Sequence, residues 1–156
     1  MKKILTIILT ILLLNILLVG CSGEETTNNE VGLNEVVTLG DYEVTVTKFE
    51  LVKDSEGRSV IKLYYDWTNN SKKTQAPYIT VNFKAFQNDV KIAESLFSED
   101  IDLGLGQKEA SPGTTLTGLE DGFLLNDTQN IVEIEIKELM SFNSEPYILK
   151  VNPSEL

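Results

Sequence analysis

The chain contains no histidine, a single cysteine and a single tryptophan. The absence of histidine excludes Ser-His-Asp and Cys-His catalysis, together with every metal site built on histidine. One cysteine can form neither an intrachain disulfide nor a cysteine-rich zinc site. Carboxylate, lysine, tyrosine and serine chemistry remain, and the acidic residues are too evenly spread to single out a catalytic pair. We therefore expect no enzyme activity, no catalytic residue and no cofactor.

Basic residues are also scarce, with 13 Lys and Arg against 24 Asp and Glu and a net charge of −11. Nucleic-acid binding requires clustered Lys and Arg to neutralise phosphates. A strongly acidic surface also repels anionic lipid headgroups over a Debye length of roughly 8 Å. The composition predicts no nucleic-acid partner.

The N-terminus combines a basic start with a long apolar run. Met1-Lys2-Lys3 precedes the apolar stretch from Ile4 to Val19. Sixteen residues at about 1.5 Å each cover about 24 Å, short of a hydrocarbon core of about 30 Å. This layout is typical of a secretory signal peptide, which we assign to residues 1–20, and it argues against a transmembrane helix.

The signal peptide ends at Gly20, within the sequence Leu18-Val19-Gly20-Cys21, which directly precedes the polar run Ser22-Gly23-Glu24-Glu25. These four residues resemble the lipobox of bacterial lipoproteins. The resemblance implies that the Cys21 thiol carries a diacylglycerol and that cleavage makes Cys21 the first mature residue. Two acyl chains give stable anchoring. We therefore expect the protein on the extracellular face of the cell membrane, anchored through Cys21.

Residues 21–35 comprise this cysteine and a segment rich in Glu, Thr and Asn that has no apolar periodicity. The segment predicts a flexible tether with a root-mean-square span of roughly 20 Å. A single folded domain is expected over residues 36–156.

Apolar residues in that domain recur with a period of two, which is the spacing of β-strands. In Ser59–Thr68, one face carries Ile61, Leu63, Tyr65 and Trp67. A one-residue phase slip near Thr47-Lys48 predicts a β-bulge, and Asn88-Asp89 predicts a tight hairpin turn. Further strands are expected near Tyr42–Leu51, Tyr78–Gln87, Val90–Ala93, Thr114–Leu125, Val132–Lys137 and Tyr147–Val151.

Seven or eight short strands separated by turns predict an all-β fold, an immunoglobulin-like antiparallel β-sandwich without a disulfide. Trp67 is expected in its core. The opposite face of the same strand leaves two interpretations open. Tyr64 and Tyr78, with Val60, form an outward patch for binding, or a further segment covers that face; we favour the second.

The stretch from Val60 to Trp67, the exit Thr68–Ser71 and the segment Ala85–Asp89 resemble a family of lipoprotein domains from Gram-positive bacteria. Thr117–Asp121 matches the family loosely. These domains are similar to immunoglobulin-like sandwiches and to a secreted mycobacterial immunoprotective antigen. The resemblance implies a fold and a location, and it implies no activity.

The long connection from Ser98 to Pro112 contains Asp100 and Asp102, the best candidates for metal ligands. Oxygen-rich loops can bind Ca²⁺ with six to eight ligands. The EF-hand spacing is not met, because Gly104 stands where the third acid is required. An ordinary solvated acidic loop is the favoured interpretation.

The sequence thus predicts a lipid-anchored binding module at the cell surface, whose partner is a protein or a cell-wall polymer. Two alternatives remain open. One is an accessory lipoprotein that binds a small ligand or Ca²⁺ for a transporter. The other is an immunity or inhibitor lipoprotein that protects the cell from a toxin or a wall hydrolase.

Overall fold

The computed structural model describes residues 29–95, 100–141 and 143–156. The predicted signal peptide at residues 1–20 and the predicted acylation site at Cys21 lie outside the described residues. No helix within the described ranges is long and apolar enough to cross a membrane.

In the described residues, nine strands form two sheets that pack face to face, so the predicted all-β sandwich is confirmed with one or two strands more than expected. One sheet has the order β2-β3-β4-β7 and the other the order β1-β9-β8-β5-β6. The strands are β1 Glu30–Val31, β2 Val36–Leu39, β3 Tyr42–Lys53, β4 Ser59–Asn69, β5 Val81–Gln87, β6 Val90–Ile92, β7 Thr115–Leu124, β8 Val132–Glu138 and β9 Tyr147–Val151. Short 3₁₀ helices occupy Pro77–Ile79, Leu105–Gln107 and Pro153–Glu155.

The first strand, β1, lies inside residues 21–35, the range predicted as a flexible tether. Glu30 and Val31 pair in parallel with Ile148 and Leu149 of β9. A two-residue strand in a polar segment is too short to show a recognisable pattern in the sequence. It forms by pairing with β9, more than a hundred residues further along the chain. The folded domain therefore begins before Val36.

Alternation along β4 and β5 builds the core between the sheets. Trp67 is fully buried, as predicted, and its ring stacks on Tyr42 with the ring centroids 5.7 Å apart. Tyr65 meets Phe83 of the opposite sheet edge to face, with the centroids 4.9 Å apart. Such aromatic pairs add stability beyond the area that they bury.

Local sequence signals for irregularities are also confirmed. The β3–β4 register shifts between Val46 and Lys48, which places the predicted bulge at Thr47. Asn88 and Asp89 have φ angles of 53° and 62° and form the turn between β5 and β6. A left-handed conformation at both central residues is typical of a type I′ hairpin turn.

The connection after β6 crosses to the other sheet and covers part of its outer face. Ser95 N donates to Gly122 O at 2.8 Å, and Ile101 packs so closely on Gly122 that a methyl group there would clash with it. Val60 is consequently fully buried. The interpretation of Val60, Tyr64 and Tyr78 as an outward patch for binding is therefore wrong, because Val60 is covered and Tyr78 lies in the 3₁₀ helix before β5.

Candidate functional site

Asp100 and Asp102 lie where the connection crosses β4 and β7. The Asp100 carbonyl accepts a hydrogen bond from Lys62 Nζ at 2.6 Å. Asp102 N donates to Glu120 Oε2 at 2.7 Å, and Asp102 Oδ1 accepts from Gly104 N at 2.8 Å. These contacts hold the loop against the sheet.

The cation in this region is the ammonium group of Lys62. It lies 2.8 Å from Glu120 Oε2 and 4.7 Å from the centroid of the Tyr64 ring. Within residues 29–95, 100–141 and 143–156, no three His, Cys, Asp or Glu side chains are grouped so as to hold a metal ion. The Asp100 carbonyl and the Asp102 amide therefore hold the loop against the sheet, and a metal-binding role for the two carboxylates stays a prediction from the sequence.

Tyr64 links this ion pair to a second charged group on β3. Its hydroxyl donates to Glu50 Oε2 at 2.6 Å, and Lys48 forms an ion pair with the same carboxylate. Burial by itself lowers the pKa of Lys62, but hydrogen bonds with Glu120 and Tyr64 raise it overall. Hydrogen bonds from Lys48 and Tyr64 lower the pKa of Glu50. Because the charges are mutually paired, the network stabilises the sheet and leaves little capacity for a ligand.

A different surface has the features of a binding site, at the end of the sandwich where β5 ends and β8 begins. Gln87, only 1% exposed, directs its side-chain amide into the loop 126–131. Its Nε2 donates to the carbonyls of Asp127 at 2.9 Å and Asn130 at 3.0 Å. Its Oε1 accepts from the amides of Asn126 at 2.9 Å and Asp127 at 3.3 Å. One buried side chain thus fixes both ends of an exposed loop.

The carboxylate of Asp127 orders the same loop from within. Its Oδ1 accepts from the amides of Gln129 and Asn130, each at 2.8 Å, and its Oδ2 accepts from Asn130 Nδ2 at 2.8 Å. These hydrogen bonds, led by the one from the Asn130 side chain, lower the pKa of Asp127. The carboxylate therefore stays ionised and the loop keeps its shape at neutral pH.

The ordered loop and the Asn88-Asp89 turn border a depression of about 570 Å³. We call it the loop depression. It combines apolar surface with amide and charged groups, since its lining includes Phe86, Gln129, Ile131 and Lys150. Ile131 is a large apolar side chain that is 53% exposed. Rigid loops carried on a stable scaffold are a common basis for binding.

Sequence reasoning placed no site here, although one signal was present. Gln87 continues the inward-facing series Val81, Phe83 and Ala85 on β5. A glutamine at an inward position predicts a buried amide, and a buried amide requires partners. The polar run Asn126–Asn130 could have been proposed as their source.

Residues 22–138 match a family described as a domain of unknown function, DUF5067. No curated protein matches significantly.

Solved structures resemble the fold at low identity. An uncharacterized β-sandwich protein from Clostridium difficile 630 has 16% identity and a TM-score of 0.58, covering 78% of this chain and 93% of that one. A protein from Enterococcus faecalis has 18% identity and a TM-score of 0.55, covering 76% and 90%. The yjhA protein from Bacillus subtilis has 17% identity and a TM-score of 0.52, covering 77% and 98%. At these identities the likeness establishes the sandwich fold alone.

Proposed function

The chain belongs to the DUF5067 family, and from that premise we propose that it is a lipid-anchored binding module on the extracellular face of the cell membrane. The anchor is the diacylglycerol on Cys21, which the lipobox Leu18–Cys21 supports. The binding surface is the loop depression. The module has no catalytic role, and its similarity to the mycobacterial antigen remains a prediction from sequence.

The hydrogen bonding of Gln87 is the observation that carries the binding role. A buried amide with four bonds to one loop fixes that loop before any partner arrives. Pre-organisation lowers the entropy that a binding loop loses on association, and so it raises affinity. A fixed loop beside the exposed side chain of Ile131 therefore favours recognition over a purely structural role.

The composition of the loop depression indicates what it binds. Amide groups from Asn88, Gln129 and Asn130 can exchange hydrogen bonds with hydroxyl or amide groups, while Phe86 and Ile131 offer apolar contact. A surface protein or a cell-wall polymer presents both kinds of group. We keep both partner classes, and the experiment distinguishes them.

A photoreactive amino acid placed at Gln129 tests this function in intact cells. We expect a discrete cross-linked product whose carbohydrate or protein composition identifies the partner class. The same amino acid at exposed Thr38 on β2 is the matched control. An absence of product at Gln129, or an equal yield of the same product at Thr38, would show that the loop depression is not the binding surface.

A further inference from the structure

A second exposed surface lies at the opposite end of the sandwich and is strongly apolar. Its four side chains are Tyr78 at 61% exposure, Ile79 at 40%, Leu139 at 41% and Met140 at 72%. We call this group the apolar end patch. Ile79, Leu139 and Met140 line one depression, and Tyr78 precedes Ile79 in the same 3₁₀ helix. Large exposed apolar patches mark sites that contact another molecule or a membrane.

The backbone beneath the apolar end patch is fixed. Leu139 N donates to Thr80 O at 2.9 Å and so joins the two segments that carry the patch. Thr80 Oγ1 donates to Pro77 O at 3.0 Å and closes the 3₁₀ helix. The four side chains therefore project from a rigid base, and an aromatic residue such as Tyr78 is favoured where water meets lipid.

The chain enters the domain at this same end. Asn29 bonds to the residues at the start of β9, with Asn29 Nδ2 donating to Pro146 O at 3.3 Å and Ile148 N donating to Asn29 O at 2.8 Å. Strand order places β1 three strands from β5, which at about 4.8 Å per strand is roughly 15 Å. The point of entry and the apolar end patch thus share one end of the sandwich.

The length of chain before this point limits how far the domain can lie from the anchor. Eight residue steps separate Cys21 from Asn29. At no more than about 3.6 Å per residue they span at most about 29 Å. A domain held this closely, with its apolar end facing the anchor, lies within reach of the bilayer.

We propose that the apolar end patch inserts into the interface of the bilayer to which Cys21 anchors the protein. This inference rests on the proposed lipid anchor. Apolar contact drives the insertion, because the neighbouring charges are mixed: Lys72, Lys73 and Asp41 line one nearby depression, and Glu138 lies beside Leu139 and Met140 in another. The seven residues of β8 separate the two ends by about 20 Å, so insertion directs the loop depression away from the membrane.

The test uses the acylated protein, reconstituted into vesicles of phosphatidylglycerol and phosphatidylethanolamine. Because Cys21 is the only cysteine, its acylation leaves a Met140→Cys variant with one free thiol for a nitroxide label. Val90→Cys, at an exposed apolar position on β6 near the opposite end, is the matched control. Collision rates with oxygen, which concentrates in lipid, are compared with those of a water-soluble nickel chelate.

We expect the label at residue 140 to collide several-fold more with oxygen than with nickel, and the label at residue 90 to show the reverse. Adding Tyr78→Ser should move the residue 140 label towards water while flotation with the vesicles persists. A residue 140 label as accessible to nickel as the control would overturn the insertion and leave the anchor standing. Protection from both reagents would assign the patch to a protein contact. Failure of the acylated preparation to float would overturn the anchor itself.

Discussion

Replacing Gln87 with methionine is the sharpest test of how the loop depression is built. Methionine matches the length of glutamine and fills nearly the same volume, so the variant isolates hydrogen bonding from packing. It removes four bonds of 2.9–3.3 Å to Asn126, Asp127 and Asn130. A net value of about 0.5–1.5 kcal/mol per bond gives a loss of about 2–6 kcal/mol in the free energy of unfolding, the lower value applying if the freed groups reach water.

Urea denaturation followed by the fluorescence of buried Trp67 measures this loss. At a slope of about 2 kcal/mol per molar urea, the midpoint should fall by about 1–3 M. Hydrogen exchange should accelerate most at the amides of Asn126 and Asp127. Gln129→Met is the matched control, because its side chain is exposed on the same loop, and we expect a change within about 0.5 kcal/mol.

Equal stability of Gln87→Met and Gln129→Met would refute the reasoning. The Gln87 amide would then be a passive buried group, and the argument that the loop is fixed before binding would fail. If Gln87→Met lost stability but the photoreactive amino acid at residue 129 gave an unchanged yield of cross-linked product, the loop would not need to be fixed for binding. That result would also count against pre-organisation.

Three other residues give independent predictions. Burial, with a contribution from Glu94, raises the pKa of Asp121 to about 6, above its usual value, so its ionisation opposes folding. As pH rises from about 4 to 7, the wild type should lose about 1–3 kcal/mol relative to Asp121→Asn, which denaturation curves of the two proteins at each pH measure. Lys62→Ala should lower the free energy of unfolding by about 3–5 kcal/mol, because it leaves the Glu120 carboxylate without its ion-pair partner beneath the loop. Lys150→Ala, at a side chain that is 43% exposed, should change the free energy of unfolding in urea by less than about 1 kcal/mol. Gly122→Ala should lower the free energy of unfolding by about 1–3 kcal/mol, because the added methyl group clashes with Ile101. A double-mutant cycle with Ile101→Ala should show that the two changes are strongly coupled, and additive losses of stability would contradict the contact.

The features predicted from the sequence are those that local pattern determines. Alternation identified β4, a phase slip located the bulge at Thr47, and turn residues located the hairpin at Asn88-Asp89. What the sequence did not predict depends on contacts between distant segments. β1 forms because it pairs with the edge of β9. Asp102 holds its loop against the sheet because its amide donates a hydrogen bond to Glu120 on β7.

The two surfaces illustrate the same limit. The sequence pattern predicts Tyr78 at the start of a strand, but Tyr78 lies in the 3₁₀ helix before β5, at the end of the sandwich where Met140 follows β8. Exposed apolar residues from separate segments show no periodicity, so the apolar end patch has no signature in the sequence. Gln87 was detectable in principle, although its partners in the loop were not.

Metabolic labelling with palmitate tests the central claim, the lipid anchor, most directly. Wild-type protein, Cys21→Ala and the control Ser22→Ala are expressed in the presence of labelled palmitate and isolated from the membrane and soluble fractions. The anchor predicts labelled wild type and Ser22→Ala in the membrane fraction, and no label on Cys21→Ala. Label that persists unchanged in Cys21→Ala, or an unlabelled wild type, would contradict the account.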